Sequence, residues 1–377
     1  MNLLGKSVIQ MTLVQCFIAM VLAIGGTTAQ AQWPFVRGDV KATGVASSPL
    51  ADELDILWQY TIDDSGFEAT AVIDKGVVYV GDVDGSFHAV RLKDGKPIWK
   101  ETFEDSGFLA AAAVVDGQIY VGDFNGVIRA LDAESGREIW THETDGEVYA
   151  APNVYEGQVL VTTEAGELVS LNTETGKRRW LFEIAAPLRC WPAVVDGQVL
   201  LAGCDDRLHA VDVATGEEVA GVDLNGPTGS TAAVFEGQVL FGNESGTFYS
   251  VSINPLAIRW EYQDPDRPQS IRTAAAVNSQ VAVYGSQGKQ IFALDPASGK
   301  PRWKFKTRSS IESSPIIAAD RVILATKRGR LYGLDVTTGE EKWEYEAGGS
   351  FIASPSVAEG RMIIGNNDGT LYCFGKK

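Results

Sequence analysis

The ten residues LDAESGREIW, Leu131 to Trp140, set an Asp, a Ser-Gly pair and a Trp at a spacing that returns along the chain. Close copies end at Trp99 (VRLKDGKPIW), Trp180 (LNTETGKRRW), Trp303 (LDPASGKPRW) and Trp343 (LDVTTGEEKW). Aligned on the last residue, the series runs Trp58, Trp99, Trp140, Trp180, Ala220, Trp260, Trp303 and Trp343, in steps of 41, 41, 40, 40, 40, 43 and 40 residues. A period of this length marks a repeat protein, so the 377 residues need not be cut into several domains.

Each unit has the same internal order. In the unit that ends near Trp140, LAAAAVV (109–115) leads through Asp116-Gly117 to QIYVG (118–122). Asn125-Gly126 then leads to VIRAL (127–131), and Ser135-Gly136 to REIWTH (137–142). These are four short β-rich runs joined by turn pairs that supply the positive φ of tight hairpins. The fold class is therefore all-β: an eight-bladed β-propeller of four-stranded antiparallel blades. Seven units are complete, whereas after Trp343 only FIASPSV, RMIIG and TLYCF remain, and an orphan run, ILWQYTI, precedes the first unit. Three strands and one make an eighth blade closed by the N- and C-terminal strands, which leaves no free sheet edge at the seam.

The recurring Trp fills the wedge that opens between neighbouring blades as they diverge from the axis. Burying such a ring removes roughly 150–250 Å² from water, about 4–6 kcal/mol as an upper bound. Ala220 lacks that ring, which predicts either a loosely docked fourth blade or another side chain in the wedge. The Asp of each motif (Asp132, Asp212, Asp295, Asp335) is placed to accept N–H bonds from its turn. VSINPLAIRW lacks both Asp and Gly and should turn differently.

Residues 1–31 read as a cleavable signal peptide: Lys6 is its single charge, an apolar run spans 8–25, and Ala29 and Ala31 fit an A-x-A site. A retained anchor is the alternative, opposed by Gln10, Thr12 and Gln15 in the run. Residues 32–54 form a lead-in and 55–377 the propeller. No later apolar stretch could span a bilayer as a helix, so the expected product is exported, soluble and monomeric, in the periplasm or outside the cell. Without Lys6, 31 basic side chains face 49 acidic ones, a net charge of −18, which disfavours nucleic acid. His88, His142 and His209 lie in separate repeats and suggest neither a metal site nor a nucleophile-base pair. Cys190 and Cys204 flank the Asp196-Gly197 turn; a two-residue hairpin puts Cys190 opposite Gly203, and a bulge would bring the cysteines face to face, so a disulfide and two thiols both stay open.

The ALDxxSGxxxW pattern, with VYVGxxDG and a small-Pro-Val strand, resembles the pyrroloquinoline-quinone-type (PQQ-like) propeller repeat over about 320 residues. The lead-in WPFVRGDVKATGV (33–45) is similar to that of many exported members. The resemblance implies eight blades and two branches: quinoprotein dehydrogenases with a quinone and Ca²⁺ over the axis, and non-catalytic BamB-like proteins. The first branch carries adjacent cysteines, a catalytic Asp and long insertions, none of which this chain displays; it also lacks the lipid-modified cysteine of BamB.

Function on a propeller gathers where every blade contributes one position around the axis. Registering the innermost strands on their turns gives a rim of Glu68, Leu109, Tyr149, Arg189, Gly229, Arg272, Glu312 and Ile352. Two residues further in stand Thr70, Ala111, Ala151, Trp191, Thr231, Ala274, Ser314 and Ser354. Arg189 and Arg272, with Glu68, Glu312, Tyr149 and Trp191, form a polar mouth able to grip a carboxylate; alternatively the charges satisfy one another. The expectation is a non-catalytic binding or scaffold module for a protein or peptide partner, without a cofactor. The rival is a PQQ-dependent oxidoreductase with a reduced site, requiring PQQ and Ca²⁺.

Overall fold

The computed structural model describes residues 32–377, so the expected signal segment lies outside the described residues. Thirty-two strands, numbered in chain order, form eight four-stranded antiparallel sheets, and no helix occurs among the described residues. After β1 (Asp55–Thr61), the first blade consists of β2 (Val72–Asp74), β3 (Val77–Gly81), β4 (Ser86–Arg91) and β5 (Pro97–Thr102). Six more blades follow this order. The eighth is β30 (Ser356–Ala358), β31 (Arg361–Gly365) and β32 (Thr370–Gly375), completed by β1, whose register runs from Asp55 opposite Gly375 to Thr61 opposite Thr370.

The middle strands of each blade are covered on both faces by neighbouring blades, hence the buried and mostly apolar runs QIYVG and VIRAL, the latter broken by Arg129. The outermost strands face solvent, and Glu138–Glu143 keeps Trp140 as its one buried residue. At the Asp116-Gly117 hairpin both residues have positive φ, 52° and 78°, the demand that selects this pair. Asp132 accepts the Ser135 N–H at 2.8 Å, as the motif implies.

The Trp ladder joins seven of the eight blades to the next one. Trp140 donates its Nε1–H to the Thr173 carbonyl at 2.8 Å, and its ring lies on Gly176, where a Cβ would stand 2.5 Å from the ring. Trp58, Trp99, Trp180, Trp260 and Trp303 donate in the same way to Leu92, Ala133, Val213, Pro296 and Val336, and Trp343 closes the circle on Leu54. The motif glycine is thus both turn-former and seat for the preceding blade's ring. Where Trp is replaced by Ala220, the seat four residues before Trp260 is Leu256 rather than Gly. Ala220 and Leu256 both border the same apolar cluster. The turn there does take another form: Ser252 Oγ–H donates to Pro255 O at 2.6 Å, and the Asn254-Pro255 bond is cis.

The lead-in runs around the axis under the innermost strands. Trp33 exchanges both backbone bonds with Ile73, and the carbonyls of Pro34, Val40, Lys41, Thr43 and Gly44 accept N–H from Val114, Val194, Val234, Val277 and Ile317. Six blades are tied by this one segment. Arg321, buried on the seventh blade, donates to the carbonyls of Leu50, Ala51 and Asp52 and holds the chain where it leaves for β1.

Candidate functional site at the axial channel

Near the axis the chain leaves its own sheet. Paired strands begin only at Val72, Ala113, Asn153 and Ala193, so the rim and second-ring residues lie on extended segments before the ladder. Four of their backbone donors turn to the next blade. Trp191 N–H donates to Thr231 Oγ1 (3.2 Å), Ala274 N–H to Ser314 Oγ (3.0 Å), Ser314 N–H to Ser354 Oγ (2.9 Å), and Ser354 N–H to Thr70 Oγ1 (2.9 Å). Polar residues replace alanine in this ring because a hydroxyl can take an N–H that has no ladder partner.

These segments enclose a cavity of about 220 Å³. Seven of the eight rim positions and all eight second-ring positions line it, together with Ala150 and, from the lead-in, Val36 and Arg37. Glu312 is the rim residue outside the lining, and it pairs with Lys327 at 3.1 Å. Tyr149 is 41% exposed at the mouth. Trp191 is buried, donates Nε1–H to the Pro152 carbonyl at 3.0 Å, and forms part of the wall.

The two rim arginines do not pair with Glu68 or Glu312. Arg189 grips Glu164 bidentately, Nε to Oε1 and Nη2 to Oε2 both at 2.8 Å, and this bond raises its pKa. Arg272 uses Nε alone on Glu244, at 3.0 Å. Each Glu sits in a turn of the preceding blade, a relation visible only once the blades are placed side by side. Sequence reasoning also missed Arg37, because the aperiodic lead-in offers no repeat on which to register it. Arg37 is 2% exposed; its Nη2 donates to the carbonyls of Pro315 (2.7 Å) and Ala275 (3.1 Å). Gly44 passes so close to this guanidinium that a Cβ there would overlap Nη2. Burial lowers the Arg37 pKa to about 10, with nearby Asp39 acting in the other direction.

The donor set at the mouth does not suit a Ca²⁺-held quinone. Ca²⁺ takes about six to eight oxygen ligands, whereas Glu68 is the one carboxylate of the cavity lining. No group of three or more His, Cys, Asp or Glu side chains among the described residues is placed to hold a metal ion.

Cys190, Cys204 and Cys373 are free thiols. The strands flanking the Asp196-Gly197 turn pair Ala193 with Leu200 through Val195 with Gln198 without a register shift, and both cysteines lie beyond the strands that this turn joins. Cys204 Sγ instead lies 3.6 Å from the Thr228 carbonyl on the next blade. Burial pushes the Cys190 and Cys373 thiols up to about 12. Alkylation of the unfolded, unreduced protein should therefore label all three, and alkylation of the folded protein only the partly exposed Cys204. Mass spectrometry finding Cys190 and Cys204 unlabelled after unfolding would restore the disulfide.

The architecture and its ringed mouth are those of an eight-bladed propeller of PQQ-like repeats. The chain belongs to the family described as outer membrane protein assembly factor BamB, whose model matches residues 51–190, 183–312 and 270–377. It matches no curated protein sequence. BamB from Moraxella catarrhalis is similar in structure, with a TM-score of 0.75 and 17% identity over 86% of this chain and 98% of that one. Quinohemoprotein alcohol dehydrogenase from Comamonas testosteroni superposes with a TM-score of 0.77 and 17% identity, over 92% and 81% of the two chains. The computationally designed Ika8 protein gives 0.75 and 15%, over 84% and 98%. At these identities the likeness is one of fold, and chemistry must be argued from the site.

Proposed function

We infer that the protein is an exported, non-catalytic binding module that holds a protein or peptide partner at the channel mouth. The carrying observation is the state of the rim arginines. Glu164 and Glu244 fix both guanidinium stems, yet among the described residues Arg272 Nη1 and Nη2 and Arg189 Nη1 make no bond, and both side chains are more than half exposed. Donors held in place before binding lose little freedom on binding, and an exposed Tyr149 beside them adds a rigid aromatic contact. Membership of the BamB family supports the same reading, as do the unsuited metal donors and the apolar run with an A-x-A site at the N-terminus.

The test is capture of crosslinked partners from the native cell envelope by the parent protein and by the Arg189→Ala/Arg272→Ala double variant. Each charged hydrogen bond contributes about 1.5–3 kcal/mol, so capture should fall at least about tenfold. If the double variant retains every partner of the parent, the rim is not the binding surface.

A further inference from the structure

The first blade departs from the others at the hairpin that ends its innermost strand, at the far end of that strand from the channel mouth. The last residue of this strand is apolar or aromatic in every other blade, from Val115 in the second to Ala358 in the eighth. In the second to fifth blades it pairs with Gln118, Gln158, Gln198 and Gln238. The first blade inverts this order, since Asp74 pairs with Val77. Residues paired in this way share one face of the sheet. On that face of the fifth blade, Gln238 Nε2–H reaches the next blade and donates to the Pro296 carbonyl at 3.1 Å. Ala133 is the matching carbonyl beside the first blade, because it accepts Trp99 Nε1–H as Pro296 accepts that of Trp260. Val77 is shorter and has no donor. Tyr79 O–H takes the Ala133 carbonyl instead, at 3.2 Å, and a cleft of about 500 Å³ stays open between the two blades.

The cleft joins an apolar wall to a negative rim. Val77, Ala133 and Ile98 line it, and Ile98 is 45% exposed. Asp74, Asp116, Asp132 and Glu134 face a single lysine of the lining, Lys75. Arg137 acts on Asp132 from outside the lining, and the sum of charges stays negative. Asp74 is the sharpest case: its side chain is 13% exposed and accepts no hydrogen bond among the described residues, while Lys75, 3.8 Å away, stands mostly in solvent. Burial raises the Asp74 pKa, and burial followed by Asp74 and Asp132 pushes the Tyr79 hydroxyl up to about 12. A mostly buried carboxylate without hydrogen bonds, where the second blade has valine, lowers the stability of the free protein, and a bound cation offsets that cost.

We propose that the cleft between the first and second blades is a docking site for a segment of a partner protein that inserts an arginine flanked by apolar residues. Charge complementarity selects the occupant: the guanidinium pairs with the Asp74 carboxylate, and its methylene stem and apolar neighbours lie along Val77 and Ile98. A phosphate or carboxylate ligand is repelled by the same rim. This site stands at the opposite end of the strands from Arg189 and Arg272 and does not depend on them.

Calorimetric titration of the whole protein uses three short peptides blocked at both ends: an arginine between leucines, a glutamine between leucines, and an arginine between glycines. Two variants restore what the other blades carry. Asp74→Val supplies the residue of the second and fourth blades, and Val77→Gln fills the cleft while leaving the carboxylate in place. The parent should bind the arginine-leucine peptide with Kd of ~1 mM or tighter. The other two peptides, and the same peptide on either variant, should bind about tenfold more weakly or worse. Asp74→Val should also unfold at a higher temperature than the parent, because it removes a carboxylate that nothing in the free protein satisfies. Equal binding of the arginine-glycine peptide would assign the cleft to a lone cation and overturn the proposal. So would no binding to the parent, equal binding of the glutamine peptide, unchanged binding in either variant, or a lower unfolding midpoint for Asp74→Val. The rim test leaves Asp74 intact and reads envelope partners, so loss of one result does not remove the other.

Discussion

Trp140→Ala is expected to lower the unfolding free energy by about 3–5 kcal/mol, the range for removing a large buried aromatic. The ring fills the gap between two blades, covers Gly176, and satisfies the Thr173 carbonyl through Nε1. No local rearrangement can replace it, because the seat opposite is a glycine with φ of +66° and no side chain to move inward. Ile139, its neighbour on the same strand, is 42% exposed, and Ile139→Ala should cost no more than about 0.5 kcal/mol. Guanidinium unfolding of the two variants measures the contrast. A loss below about 1 kcal/mol for Trp140→Ala would mean that the blades dock through their broad faces and not through the ring.

A second large effect is expected at the one interface whose repeat position holds Ala instead of Trp. Ala220→Trp alone should destabilise by about 1–3 kcal/mol, because Leu256 already occupies the place of the seat. Leu256→Gly alone should also destabilise, by opening a void beneath Ala220. Made together, the two substitutions recreate the Trp-on-Gly arrangement of six other interfaces and should recover stability, with a coupling of about 1–3 kcal/mol in the double-mutant cycle. Simple additivity would show that Ala220 and Leu256 do not share a wedge.

What the sequence disclosed followed from repetition. The period, the turn pairs and the Trp series each occur many times, so one register transfers from blade to blade and reaches the channel positions Thr70, Trp191 and Ser354 correctly. Features that occur once were not legible. Arg37 lies in a segment with no period, and its importance depends on where that segment crosses the axis. Glu164 and Glu244 look like ordinary turn residues until the neighbouring blade supplies an arginine. The cysteine question turns on a single register step beyond the paired strands, which hairpin loop length alone leaves undecided. The innermost strands begin later than their apolar pattern suggests because crowding at the axis diverts their N–H groups sideways to hydroxyls.

The lead-in also sets the order in which the molecule can be completed. It is the first described part of the chain to be made, yet Gly44 must wait for Ile317, and Asp55 for Gly375. Contacts this distant along the chain close slowly, although the entropic cost of closure grows only logarithmically with loop length. Blades can form one by one from local hairpins, but the ring stays open, with β1 unpaired, until the last strand is available. A chain delivered N-terminus first therefore exposes an open-edged intermediate for the whole of its delivery, and protecting that edge from other strands becomes a kinetic requirement of this fold.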